Sequence, residues 1–187
     1  MAMRPHVLGI DDGPFRKGQV QEVPIVGVMM EGCAIVEGVA MTTFPIDGDG
    51  VTEFLGGWIE GLRWKSALQA IVFGGATIAG LAIIDIEALV RRLGVPCISI
   101  TRRPPSDAQV RRALASAGLV DRESQLDGLP PAVPIARNLY VSFAGIPLAG
   151  ATAIVRATSI KSKLPEPLRV AHLVAAAFER GQSRGRA

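Results

Sequence analysis

The sequence is poor in the side chains from which many catalytic and metal centres are built. It holds two cysteines, two histidines and one tyrosine in 187 residues. Cys33 and Cys97 each lie in an apolar run, residues 29–36 and 95–100, with no CxxC pairing. They read as small hydrophobes of the interior, and a structural zinc site is disfavoured. Aromatics make up only 5% of the chain, so Ala, Val, Ile, Leu and Gly must build the core. Mean hydropathy is high, +0.33. Even so, no run reaches the roughly 18 uninterrupted apolar residues of a membrane span. Arg4 is not followed by an apolar stretch and a cleavage site, so the expectation is no signal peptide and a cytoplasmic location. The Gly-rich stretch 74–80 lacks the Gly-Lys-Ser/Thr ending of a P-loop and does not match GxGxxG. No Ser-His-Asp arrangement suggests itself.

What is present is a chain that is 49% hydrophobic and 20% charged, which excludes intrinsic disorder. Its length predicts a single domain over residues 1–187. The net charge is +3, and it is unevenly spread. From Arg156 onward seven basic residues face only Glu166 and Glu179, so the front of the chain is slightly acidic. A basic tail beside an acidic front suits a polyanion-binding surface next to a metal-binding patch. It equally suits a solvated helix with a frayed end.

The first half predicts strands. Val7–Ile10 is short and apolar and is followed by the turn signal Asp11-Asp12-Gly13-Pro14. Residues 23–30 and 34–44 supply two more runs separated by Glu31-Gly32. Three such runs predict an antiparallel meander. Apolar residues at helical spacing predict a helix from Thr52 to about 65, with Trp58 and Trp64 on it. Glu53 suits its first turn. Residues 70–73 and 95–101 predict further strands, and Asp85 and Gly94 bracket a helix. Ser106 and Gln109 form a capping box for a helix stopping at Gly118. Residues 119–136 read as loop, 139–143 and 151–157 as β or mixed segments, and 167–180 as a closing helix. The outcome is an α/β domain with a mixed sheet.

The residues able to do chemistry are carboxylates at element ends: Asp11 and Asp12, then Asp47 and Asp49, then Asp85. Strand ends that meet across a sheet edge can cluster such groups around a hard divalent cation such as Mg²⁺. A cation held there can serve phosphoryl chemistry. The same Asp-Gly pairs are also ordinary turn formers, and Asp85 suits a helix cap. His172 sits on a mostly apolar helix face where a packed histidine is the commoner outcome.

Gly9-Ile10-Asp11-Asp12-Gly13-Pro14-Phe15 resembles the opening signature of the endonuclease dU family, an archaeal group related to endonuclease V. Ile46-Asp47-Gly48 before Val51-Thr52-Glu53, the stretch Gly75–Gly80, and Ile84-Asp85-Ile86 resemble its later segments. So do Pro96 to Arg102, Ala113-Leu114, the run Pro165–Leu173, and the ending Gly181–Ala187. The resemblance spans nearly the whole chain. It implies an RNase H-like, endonuclease V-like fold whose mixed sheet opens with the three-strand meander. It also implies metal-dependent cleavage of DNA near deaminated bases such as deoxyuridine.

By position, the resemblance gives Asp11 and Asp47 as acidic ligands for Mg²⁺ or Mn²⁺, with Asp12, Asp49 and Asp85 as supporting candidates. The third acid of the pattern falls at Gly74, and Gly50 stands where the pattern has an Asp. Arg169, His172, Arg184 and Arg186 are the candidate nucleic-acid contacts, Arg169 and the two C-terminal arginines as holders of the DNA backbone. Gly74 leaves open a family member that binds nucleic acid without cutting it. A metabolic α/β enzyme with a small anionic substrate is a third class. The apolar composition permits a homodimer.

Overall fold

Strand pairing in the first half follows the apolar runs. β1 (His6–Asp12), β2 (Glu22–Glu31) and β3 (Ile35–Pro45) form the antiparallel meander. The computed structural model describes residues 3–15, 18, 20–104 and 106–183. After the meander come α1 (Val51–Glu60), β4 (Ala70–Phe73), the small hairpin β5 (Thr77–Ile78) and β6 (Ala82–Ile83), α2 (Ile86–Leu93) and β7 (Cys97–Thr101). The chain continues through α3 (Asp107–Ser116), α4 (Glu123–Asp127), β8 (Val133–Ala136), β9 (Leu139–Ala144), α5 (Leu148–Thr158) and α6 (Glu166–Arg180). The main sheet has the order β3-β2-β1-β4-β7-β9-β8. β1, β4 and β7 run parallel at its centre, and antiparallel pairs flank them.

Alternation along the central strands separates two cores. Leu8, Ile10, Ile71 and Phe73 face a layer that includes Leu55, Ile59 and Leu89 of α1 and α2. Val7, Val72, Ile98 and Ile100 face Ile154 and Val155 of α5 and Leu168 of α6. A third cluster joins Val26, Val28 and Met30 of β2 to Ala171 and Ala175 of α6. The sheet is thus covered on both faces, as central parallel strands require. Among the described residues no helix is long and apolar enough to cross a membrane.

The caps match the expected chemistry. The Asp85 carboxylate accepts a hydrogen bond from the Ala88 amide at 2.8 Å, and Gly94 closes α2 in the left-handed conformation. Ser106 accepts from the Gln109 amide at the start of α3.

Several expectations need correction. β1 does not stop at Ile10. Asp11 and Asp12 continue the ladder opposite Val26 and Ile25 of β2, because the partner strand is long enough to pair them. The helix beginning near Thr52 ends at Glu60, and Trp64 lies beyond it, packed over Gly38. Residues 119–136 are not a plain loop: a 3₁₀ turn, α4 and β8 occupy them. Residues 151–157 belong to helix α5, whose buried Ala151, Ile154, Val155 and Thr158 follow helical spacing that the β-branched content obscures. Cys33 is only half-buried. Cys97 is interior, and burial pushes its thiol up to about 12.

Candidate functional site

The parallel strands β1, β4 and β7 end on the same side of the sheet, and a cleft of about 630 Å³ opens there. Asp11, Asp12, Gly74, Arg102, Arg103 and His172 are among the residues lining it. Alternation sends the two aspartates different ways. Asp11 follows Val7 and Gly9 toward α6, whereas Asp12 follows Leu8 and Ile10 toward the β5–β6 hairpin.

α6 reaches β1 because Gly9 has no side chain. A Cβ there would lie 2.2 Å from the Pro167 carbonyl carbon and 2.3 Å from the Leu168 nitrogen. With Leu168 anchored in the core, His172 comes one turn later and meets the strand end. Its Nδ1 lies 2.9 Å from Oδ2 of Asp11. This hydrogen bond raises the His172 pKa above its ordinary value. The charges of Asp11 and Asp12 add to the rise, while burial and the charge of Arg102 oppose it.

Asp12 accepts a 2.8 Å hydrogen bond from the Ala79 amide. Burial and then the adjacent Asp11 charge push its carboxyl up to about 6, against the pull of the Ala79 bond and of His172. Asp47 grips the same hairpin from the other side. Its amide donates to the Ala79 carbonyl, and its Oδ1 accepts from the Leu81 amide, both at 2.8 Å. The turn between demands glycine: Gly80 has φ +91°, and a Cβ on it would lie 2.3 Å from Asp47 Oδ1. Asp47 itself has φ 54°, a left-handed conformation that Asp tolerates better than most residues.

The carboxylates named from sequence therefore fall into separate places. Asp11 and Asp12 line one cleft. Asp49 and Asp85 line another, of about 390 Å³, with Glu53 and Arg122. Asp49 accepts from the Gly50 amide at the start of α1, and Asp85 caps α2 with Arg91 3.8 Å away. At Gly74 a Cβ would sit 3.4 Å from Asp11 Oδ1, so position 74 faces the Asp11 carboxylate directly. Arg169 borders the Asp11 cleft, but its Nε donates to Glu166 at 2.8 Å, and Glu166 is 4% exposed. Arg184 and Arg186 lie outside the described residues.

Sequence reasoning missed Arg102 and Arg103 as cleft residues, although two arginines directly after a parallel strand's C-terminal end are a usable signal. It also missed that His172 would meet Asp11, because nothing local marks a contact made across 161 positions. As a cation seat, Asp11 and Asp12 match an ion such as Mg²⁺ that uses one or two carboxylates and fills its shell with water and phosphate oxygens. The upward push on Asp12 comes first from burial and then from the Asp11 charge, and a cation bound beside the two carboxylates would oppose both.

Comparison with known proteins bears on the fold and the family. The chain is 34% identical to a UPF0215 protein of Methanothermobacter thermautotrophicus, over 97% of this chain and 91% of that protein. A crystal structure of a protein of unknown function from Archaeoglobus fulgidus superposes with a TM-score of 0.85 at 27% identity, covering 94% of this chain and 98% of that one. Endonuclease V of Ciona intestinalis, in complex with a 24mer DNA containing an inosine followed by a ribo-adenosine, superposes with a TM-score of 0.56. Its identity is 14%, with 91% of this chain and 84% of that one covered, so what it shares is the fold. The fold is thus a mixed α/β, endonuclease V-like architecture. The sequence profile of the endonuclease dU family matches residues 4–179, and the chain belongs to that family.

Proposed function

We propose that this protein is a divalent-metal-dependent endonuclease that cuts DNA beside deaminated bases, deoxyuridine among them. The observation that carries the reading is the Asp11–His172 pair in a cleft flanked by Arg102 and Arg103. Asp11 and Asp12 are the residues that would hold Mg²⁺ or Mn²⁺. When bound, such an ion supplies charge neutralisation and Lewis acidity at the scissile phosphate. His172 orients the Asp11 carboxylate through Nδ1 and holds a proton there. Arg102 and Arg103 give the wall the positive charge that a phosphodiester backbone needs.

The test is incubation with labelled DNA carrying one deoxyuridine, with Mg²⁺ or Mn²⁺, beside an Asp11→Asn control. Cleavage by the parent protein that disappears in Asp11→Asn supports the reading, whereas equal cleavage by both overturns it. Gly74 favours a second reading, a member that binds nucleic acid without cutting. No cleavage in either metal, with salt-sensitive DNA binding retained in both proteins, selects that reading.

A further inference from the structure

At the opposite end of the sheet, three adjacent strands present one histidine and two glutamates to a single point. We propose that His6, Glu31 and Glu37 form a second divalent-cation site, for ions of the zinc and cobalt class rather than magnesium. One ligand atom from each residue lies within 4.8 Å of the others. His6 Nε2 and Glu37 Oε2 are 3.3 Å apart. A tetrahedral ion about 2.1 Å from each ligand needs ligand atoms roughly 3.4 Å apart, so this edge already has its bound length.

The backbone holds these positions before any ion arrives. His6 and Glu31 are directly opposed across the β1–β2 ladder. Gln69 fixes His6 from both sides, its side chain accepting from the His6 amide and its own amide donating to the His6 carbonyl. Glu37 is the extra residue of a β-bulge: Met29 pairs with Gly38 and Met30 with Val36, leaving Glu37 without an opposite number. A bulge re-aims a side chain, and here it turns Glu37 toward His6, two strands away.

The donor set chooses the ion. One imidazole and two carboxylates suit borderline transition metals, while magnesium favours oxygen alone. In the metal-free protein Arg4 lies 3.8 Å from Glu31 and is largely exposed, so an entering ion displaces that loose partner and takes the place of the direct His6–Glu37 contact. Asp11 lies five positions along the strand from His6, roughly 17 Å away. The two seats therefore share no ligand, and this inference is independent of the proposed endonuclease activity.

Calorimetric titration of the full chain with Zn²⁺, and the visible spectrum with Co²⁺, test it. The Asp11→Asn variant is titrated in parallel so that the cleft is discounted. Parent and Asp11→Asn should bind one equivalent equally well. His6→Gln and Glu37→Gln should each bind at least tenfold more weakly and lose the tetrahedral Co²⁺ spectrum. Zinc should raise the melting temperature of the parent and not of Glu37→Gln. Glu37 is exposed on an edge strand, so Glu37→Gln decides the matter even if His6→Gln does not fold. Equal affinity in parent and Glu37→Gln, or binding lost in Asp11→Asn, overturns the site, as does a millimolar affinity indifferent to all three changes, which marks an adventitious ion only.

Discussion

Oδ2 of Asp11 and Nδ1 of His172 sit 2.9 Å apart, tying the end of the first strand to the last helix across 161 positions. The pair makes the cleft sensitive to α6. His172→Ala should leave Asp11 without its orienting partner and lower cleavage of deoxyuridine DNA by roughly 10- to 100-fold, the scale on which such supporting hydrogen bonds act. Single-turnover rates at saturating enzyme check this, and an unchanged rate removes His172 from the site.

The same pair predicts a pH-dependent stability. The His172 pKa is raised in the folded protein, chiefly by the hydrogen bond to Asp11. A raised histidine contributes stability that is fully present below the unfolded value of about 6.5 and fades as pH rises through the folded value. The melting-temperature gap between the parent and His172→Gln should thus be widest near pH 5 and narrow as pH rises above the unfolded value. A gap that widens with pH contradicts the assignment.

Asp12 moves stability with pH in the same direction, through a carboxyl and not an imidazole. Burial and the Asp11 charge push its carboxyl up to about 6 from 3.8. Between those values the folded state binds more protons than the unfolded one, so stability falls as pH rises. Asp12→Asn keeps an oxygen for the Ala79 amide and removes the charge. It should stabilise the metal-free protein by up to about 3 kcal/mol at pH 7, an advantage that vanishes below about pH 4. Urea titrations in chelator at the two pH values measure it.

Gly9 shows what the sequence could and could not say. Its place in Gly9-Ile10-Asp11-Asp12 was visible, but its reason was not, because the backbone it admits belongs to Pro167 and Leu168. Gly9→Ala should cost about 3 kcal/mol or more and withdraw His172 from Asp11, through displacement of α6. A chemical-denaturation midpoint close to the parent's is the contrary outcome.

The same division runs through the whole fold. The meander, the Asp85 and Ser106 caps and the glycine stop at Gly94 are local, set by alternation and by side chains reaching three residues along. α5 escaped because its Ala, Ile and Val content is compatible with either period, and burial alone exposes the helical one. The carboxylates were recognised as element-end groups. Their separation into two clefts depends on which face each strand end or cap presents, and on Asp47 being engaged by Leu81. That is a property of the assembled sheet.

Gly74 offers the most direct test of the cleft as a cation seat. It is outside the positive-φ glycines, and the atoms nearest a Cβ on it would be Asp11 Oδ1 at 3.4 Å, Leu168 Cδ1 at 3.8 Å and Asp11 Cγ at 4.0 Å, all ordinary contacts. Gly74→Asp therefore has room for its Cβ, and the effect expected of its carboxylate is chiefly electrostatic. Without a cation the new carboxylate stands beside Asp11 and near Asp12, so the variant should melt below the parent in chelator. With millimolar Mg²⁺ the third acid adds a ligand, and the melting temperature should rise by several degrees more than the parent's does. If ligand number limits catalysis, cleavage should rise at least tenfold with it. A variant whose stability ignores Mg²⁺ would mean that the Asp11 carboxylate faces a phosphate-binding wall without a metal, and the role of this cleft would shift from cutting DNA to holding it.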